Sequence, residues 1–150
     1  STRKESSAAS DVYKRQTEAH ALLDRLRLSP LAHTPVTELA YGKQRLLEIA
    51  LALAAKPRIL LLDEPAAGIP AGESSELFEV IAELPADISV LFIEHDMNLV
   101  FRFARRISVL VAGEILTEGT PREISTDPRV RDVYLGHRTN KMAQGAATDA

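Results

Sequence analysis

Ile59-Leu60-Leu61-Leu62-Asp63-Glu64-Pro65 is an unbroken apolar run closed by two acids and a proline. A strand with one wet face would alternate apolar and polar residues. A short continuous run therefore predicts a strand covered on both faces, as in a parallel sheet. Ser89–Ile93 (SVLFI) has the same character downstream, and a helix is expected between the two runs, from about Glu73 to Leu84. Upstream, Gly42 to Lys56 places Leu46, Leu47, Ile49, Ala50, Leu51, Leu53 and Ala54 at helical spacing with a wide apolar face, stopped by Pro57. Proline removes a donor and clashes with the preceding turn, so this helix, expected to be largely buried, ends there. Helix and strand alternate, which predicts an α/β fold with a mostly parallel sheet flanked by helices.

Further from this centre the signals are turns and caps. Asp96 can accept backbone N–H bonds at the start of a helix running through Phe103. Ile107–Val111 and Ile115–Thr117 predict a terminal β-hairpin turning through Ala112 and Gly113. Thr120-Pro121 and Asp127-Pro128 each set a capping side chain before a proline, where the missing N–H costs nothing, and start two short helices. On the N-terminal side a helix is expected over Thr17–Leu28, followed by a connector at Pro30 and Pro35. Residues 1–16 are small and polar without periodicity and read as a disordered tail or a foreign assembly scar; 137–150 read as a disordered tail. The folded domain is expected over 17–136.

Composition excludes several classes. With 150 residues, 45% hydrophobic and 26% charged, the chain suits one globular domain. A net charge of −3 gives no basic field for nucleic acid, and no nucleic-acid partner is expected. Cysteine is absent, which excludes disulfides and thiolate metal sites. No apolar run approaches the roughly 20 residues of a membrane-spanning helix. Membrane association would have to run through a partner.

Three segments carry the chemistry. Ligands of parallel sheets bind beyond the carboxyl ends of the strands, where Asp63 and Glu64 stand. An aspartate there can hold Mg²⁺ through its water shell, and the adjacent glutamate can orient and polarise an attacking water. Alone, the pair could equally begin a solvated turn. Leu39-Ala40-Tyr41-Gly42-Lys43-Gln44-Arg45 opens the long helix, and its glycine lets backbone N–H groups approach a phosphate closely; by itself it is also an ordinary helix start. Glu94-His95-Asp96 follows the second strand, so His95 emerges at the same sheet edge as Asp63.

In this order the segments resemble the C-terminal half of the ABC transporter ATPase domain. Leu39 to Arg45 is similar to the signature LSGGQ followed by Gln-Arg, Asp63-Glu64 to the Walker B acids, the loop after Pro65 to the D-loop, and His95 to the switch histidine. LxYGxQRxLEIA (Leu39 to Ala50), DEPAAGI (Asp63 to Ile69), IEHDMxLV (Ile93 to Val100), EGTPxEI (Glu118 to Ile124), DPxV (Asp127 to Val130) and YLG (Tyr134 to Gly136) look like the ATPase subunits of branched-chain amino-acid importers. The resemblance implies the C-terminal part of a P-loop NTPase fold and hydrolysis of ATP with Mg²⁺. In it Asp63 serves the metal through water, Glu64 the attacking water and His95 the γ-phosphate. Leu39, Ala40, Tyr41, Gly42 and Lys43 would close over ATP held by a second ATPase subunit. It further implies membrane permease subunits, a solute-binding protein acting indirectly, and a cytoplasmic location on the inner face of the membrane.

The chain departs from the family pattern in three places. G-x-x-x-x-G-K-S/T does not occur, and the only Gly-Lys pair, Gly42-Lys43, belongs to the signature. Without the amide cradle and its lysine the chain alone is not expected to bind ATP tightly, and truncation near Thr17 is the expected explanation. Ala40 stands where serine is usual, and Pro70 where an aspartate or asparagine contacts the other subunit. The competing reading is a non-enzymatic half-domain that associates with an ATPase or transporter partner.

Overall fold

In the computed structural model, residues 2–134 are described, with side chains from Ser10 onward. The expectation of a disordered tail over 137–150 lies outside the described residues. The chain divides into two compact units at the Glu94–His95 junction.

The first unit opens with α1 (Thr2–Arg25). Residues 2–16, read from composition as a structureless tail, are therefore helical. No glycine or proline interrupts Thr2–Arg25, so nothing in the chain breaks the helix before its end. Residues 10–20 are exposed, whereas Leu22 and Leu23 near the end of the helix pack on the core, and Leu26 and Leu28 just beyond it are buried. The helix stops earlier than Leu28 because Arg27 turns left-handed (φ 58°). The Leu28 N–H then bonds Leu23 O at 2.7 Å, and Arg27 N–H bonds Asp24 O at 3.0 Å. Short turns of 3-10 helix at Ser29–Leu31 and Val36–Glu38 lead into α2 (Tyr41–Ala54).

Helix α2 buries Gly42, Leu46, Ile49, Ala50 and Leu53, one stripe at helical spacing, against α1 and α3 (Ala71–Ala82). It is not largely buried as expected, since Leu51 on the other side is 70% exposed. From α3, Leu77 and Phe78 are fully enclosed, and the Phe78 ring meets Phe92 edge-on with centroids 5.0 Å apart. Enclosing each such side chain contributes roughly 1.5–3 kcal/mol.

The two apolar runs form β1 (Ile59–Asp63) and β2 (Ser89–Ile93), paired in parallel from Ile59↔Ser89 to Asp63↔Ile93. The expectation that both faces are covered fails. Leu60 is buried, with Leu62 and Val90 packed on the same core, but Ile59, Leu61, Leu91 and Ile93 point away from it and Leu61 stays 69% exposed. An apolar run states only that both faces are apolar, not that this chain supplies both covers.

The second unit contains α4 (Met97–Phe103), the antiparallel pair β3 (Ile107–Val111) and β4 (Glu114–Gly119), α5 (Pro121–Thr126) and α6 (Pro128–Tyr134). Its core is Val109, Ile124 and Val130, with Phe101, Ile107, Val111 and Leu116 against them. The hairpin turns through Ala112 (φ 51°) and Gly113 (φ 84°), the two positive angles that match strand twist. Among the described residues no helix is long and apolar enough to cross a membrane.

Candidate functional site

Asp63 is the last residue of β1, and the ladder continues one step beyond it: the Glu64 N–H bonds Ile93 O at 2.9 Å. Glu64 then takes φ 43°, a left-handed conformation that disfavours a side chain with Cβ. The strand therefore breaks sharply at the second acid, and the chain turns at once through Pro65, with Ala67 N–H on Glu64 O at 2.9 Å. Glu94, just past β2, ties this turn down by accepting from the Ala66 N–H at 2.9 Å. Sequence reading gave Glu94 no role. Its only signal was its place after an apolar run.

The loop beyond Pro65 lies against the start of α2. A Cβ on Gly68 would sit 3.5 Å from Tyr41 Cε1, and one on Gly42 would sit 3.6 Å from Ile69 Cγ2. The structure thus sets Gly68 and Ile69, in the segment that follows the Asp63-Glu64 turn, against Tyr41 and Gly42 of the signature-like stretch. Within that segment the Gln44 side chain donates to Leu39 O at 2.9 Å, and Ala40 precedes the helix without any side-chain cap. Gly42 N–H donates to Glu73 Oε2 at 3.1 Å, and Lys43 Nζ pairs with Glu76 Oε1 at 2.6 Å. Arg45 packs over the Tyr41 ring at 5.1 Å, donates to its hydroxyl at 2.8 Å and pairs with Glu48 at 2.6 Å. The bond to Glu48, foremost, raises the Arg45 pKa. Pro70 caps α3 by backbone shape alone (φ −57°, ψ 145°).

His95 opens the second unit, and Asp96 caps α4 as expected, accepting from Asn98 N–H at 2.9 Å. Among the described residues no three or more His, Asp or Glu side chains cluster as a metal cage. The single carboxylate of Asp63 at a strand end suits Mg²⁺, which keeps water and phosphate oxygens as its other ligands.

Comparison with known proteins adds the family. The ABC transporter family model matches residues 1–67, and that of the branched-chain amino acid ATP-binding cassette transporter matches 114–139. The high-affinity branched-chain amino acid transport ATP-binding protein LivG of Salmonella typhimurium is 47% identical over 116 residues, 76% of this chain and 46% of the relative. This chain is homologous to the ATP-binding subunits of ABC transporters. BraF of Pseudomonas aeruginosa, another branched-chain amino acid transport ATP-binding protein, is 44% identical over 116 residues, again 76% of this chain and 46% of the relative. The lipopolysaccharide export ATP-binding protein LptB of Acidithiobacillus ferridurans is 42% identical over 124 residues, 82% of this chain and 52% of the relative. The crystal structure of an ABC transporter ATP-binding cassette in its ADP conformation superposes with TM-score 0.71 at 33% identity, covering 79% of this chain and 48% of the other. As an ABC homologue, the chain has the expected α/β fold with parallel sheet and terminal hairpin, and it spans about half the length of the curated relatives it matches.

Proposed function

We propose that this chain carries the signature, Walker B and switch-histidine segments of an ABC importer ATPase that energises uptake of branched-chain amino acids through membrane permeases. The observation that carries the reading is the Asp63-Glu64 turn at the end of β1, seated with its loop against the glycine-bearing start of α2. Water attacks the γ-phosphorus, the bond to the β-phosphate oxygen breaks, and ADP and phosphate leave. Glu64 orients that water and accepts its proton, and the left-handed turn at this residue fixes where its side chain emerges. Asp63 is the residue that would hold Mg²⁺, which supplies neutralisation of the phosphate charge. His95 contacts the γ-phosphate. Leu39, Ala40, Tyr41, Gly42 and Lys43 face the nucleotide of a second ATPase subunit, so the working form is a dimer.

The substrate class rests on the names of LivG and BraF and on the match over 114–139. A solute-binding protein acts indirectly, through the permeases, and the subunit works on the cytoplasmic face of the membrane. Because G-x-x-x-x-G-K-S/T is absent from these 150 residues, they are expected not to hydrolyse ATP by themselves, and turnover requires a phosphate loop supplied from outside them. The test is Glu64→Gln in the ATP-hydrolysing transporter assembly. ATP binding should persist while turnover falls about 10²–10⁴-fold, the range of a general base. Undiminished hydrolysis would remove Glu64 from the mechanism.

A further inference from the structure

An α-helix leaves its first N–H groups without intrahelical partners, and a side chain at the preceding position normally accepts from the second or third of them. At α2 that position is Ala40, whose methyl accepts nothing. The partner comes from a different helix. Glu73, in the first turn of α3, accepts from the N–H of Gly42, the second residue of α2, at 3.1 Å. A side chain here would compete with that bond: a Cβ on Gly42 would stand 2.7 Å from Glu73 Oε2, so the carboxylate would have to swing away, and 3.2 Å from Glu73 Cβ. Glycine at 42 thus lets the Glu73 carboxylate stay on the amide. One turn further along α3, Glu76 holds Lys43, the next residue of α2, at 2.6 Å. These partly buried contacts fasten the start of α2 to the helix that the Asp63-Glu64 turn leads into.

We propose that Glu73 is a positioning residue for the signature segment. Its carboxylate replaces the N-cap missing at Ala40, fixes the direction of the Gly42 amide, and ties that amide to the helix following the Asp63-Glu64 turn. The consequence for ATP turnover rests on the ATPase reading, whereas the capping role does not.

Amide hydrogen exchange on the 150-residue chain tests the capping role without nucleotide. Glu73→Ala is expected to speed exchange at Gly42 about five-fold, the loss of one cap, with the amides of Leu77–Ala82 in α3 unchanged. Ala40→Ser in the same chain should restore protection by supplying the cap locally, and Glu73→Gln, which keeps an acceptor oxygen, should retain most of it. Exchange at Gly42 unchanged by Glu73→Ala overturns the proposal, as does an equal acceleration throughout the first unit or a failure of Ala40→Ser to rescue. In the ATP-hydrolysing assembly, Glu73→Ala should lower kcat and Ala40→Ser should recover it. If no assembly hydrolyses ATP, the ATPase reading falls and the exchange result still decides the role of Glu73.

Discussion

Helices α2 and α5 both begin after an extended residue, and their first amides are satisfied in opposite ways. At α5 everything is local: Thr120 Oγ1 accepts from the Glu123 N–H at 3.4 Å, and Glu123 Oε2 accepts from the Thr120 N–H at 2.7 Å, a capping box within four consecutive residues. At α2 the accepting carboxylate lies 31 positions away on another helix. A local cap forms whenever its own turn forms. A remote cap forms only after two helices have packed, and it makes the geometry of one segment depend on the placement of the other.

The most severe way to break this difference is to remove the packing on which the remote cap depends. Leu77→Ala, at a fully buried position of α3, is expected to cost about 2–5 kcal/mol in urea denaturation and to take the protection of Gly42 with it. A Gly42 amide that stays protected while the first unit loosens would mean that α2 caps itself. Thr120→Ala should be milder, about 1 kcal/mol, and confined to the second unit, with Gly42 exchange unaffected. The smallest effect is acid titration of the local caps. The backbone and side-chain bonds from Thr120 hold the Glu123 carboxyl below its ordinary range, and Arg129 holds Asp127 down to about 2. Folded values below the unfolded ones mean stabilisation that is complete above the ordinary carboxylate range and lost as pH falls through the depressed values. Fraying of α5 and α6 should therefore begin below about pH 4 and finish near the Asp127 value, followed by amide exchange or chemical shift. Fraying that sets in at neutral pH would show that these carboxylates are not what holds the two helix starts.

The same contrast separates what the sequence revealed from what it did not. Thr120-Pro121, Asp127-Pro128, Asp96, the Ala112-Gly113 turn and both apolar strands were legible because each signal lies within a few residues. The order of signature, strand with Asp63-Glu64, and strand with His95 was legible for the same reason, and it pointed to the family. Glu73 on Gly42 and Glu94 on Ala66 were not legible, since contacts spanning 31 and 28 residues have no period to betray them. The helix over residues 2–16 is hard to see in the sequence because its small polar residues show no apolar period, and its one helical signal is the absence of any glycine or proline before Arg25. The open face of the β1–β2 pair was missed because Leu60 and Leu61 are the same residue in adjacent positions, and only tertiary structure tells them apart.

That pair of leucines gives the sheet two independent substitution records. Changes at Leu60 report on whether the chain folds, because its side chain is enclosed by α2 and α3. Changes at Leu61 and Leu91, paired across the strands and both turned outward, leave that core untouched and bear instead on solubility and on whatever the protein rests against in the cell. Tolerance at one leucine and intolerance at its neighbour would separate the selection acting on folding from the selection acting on company.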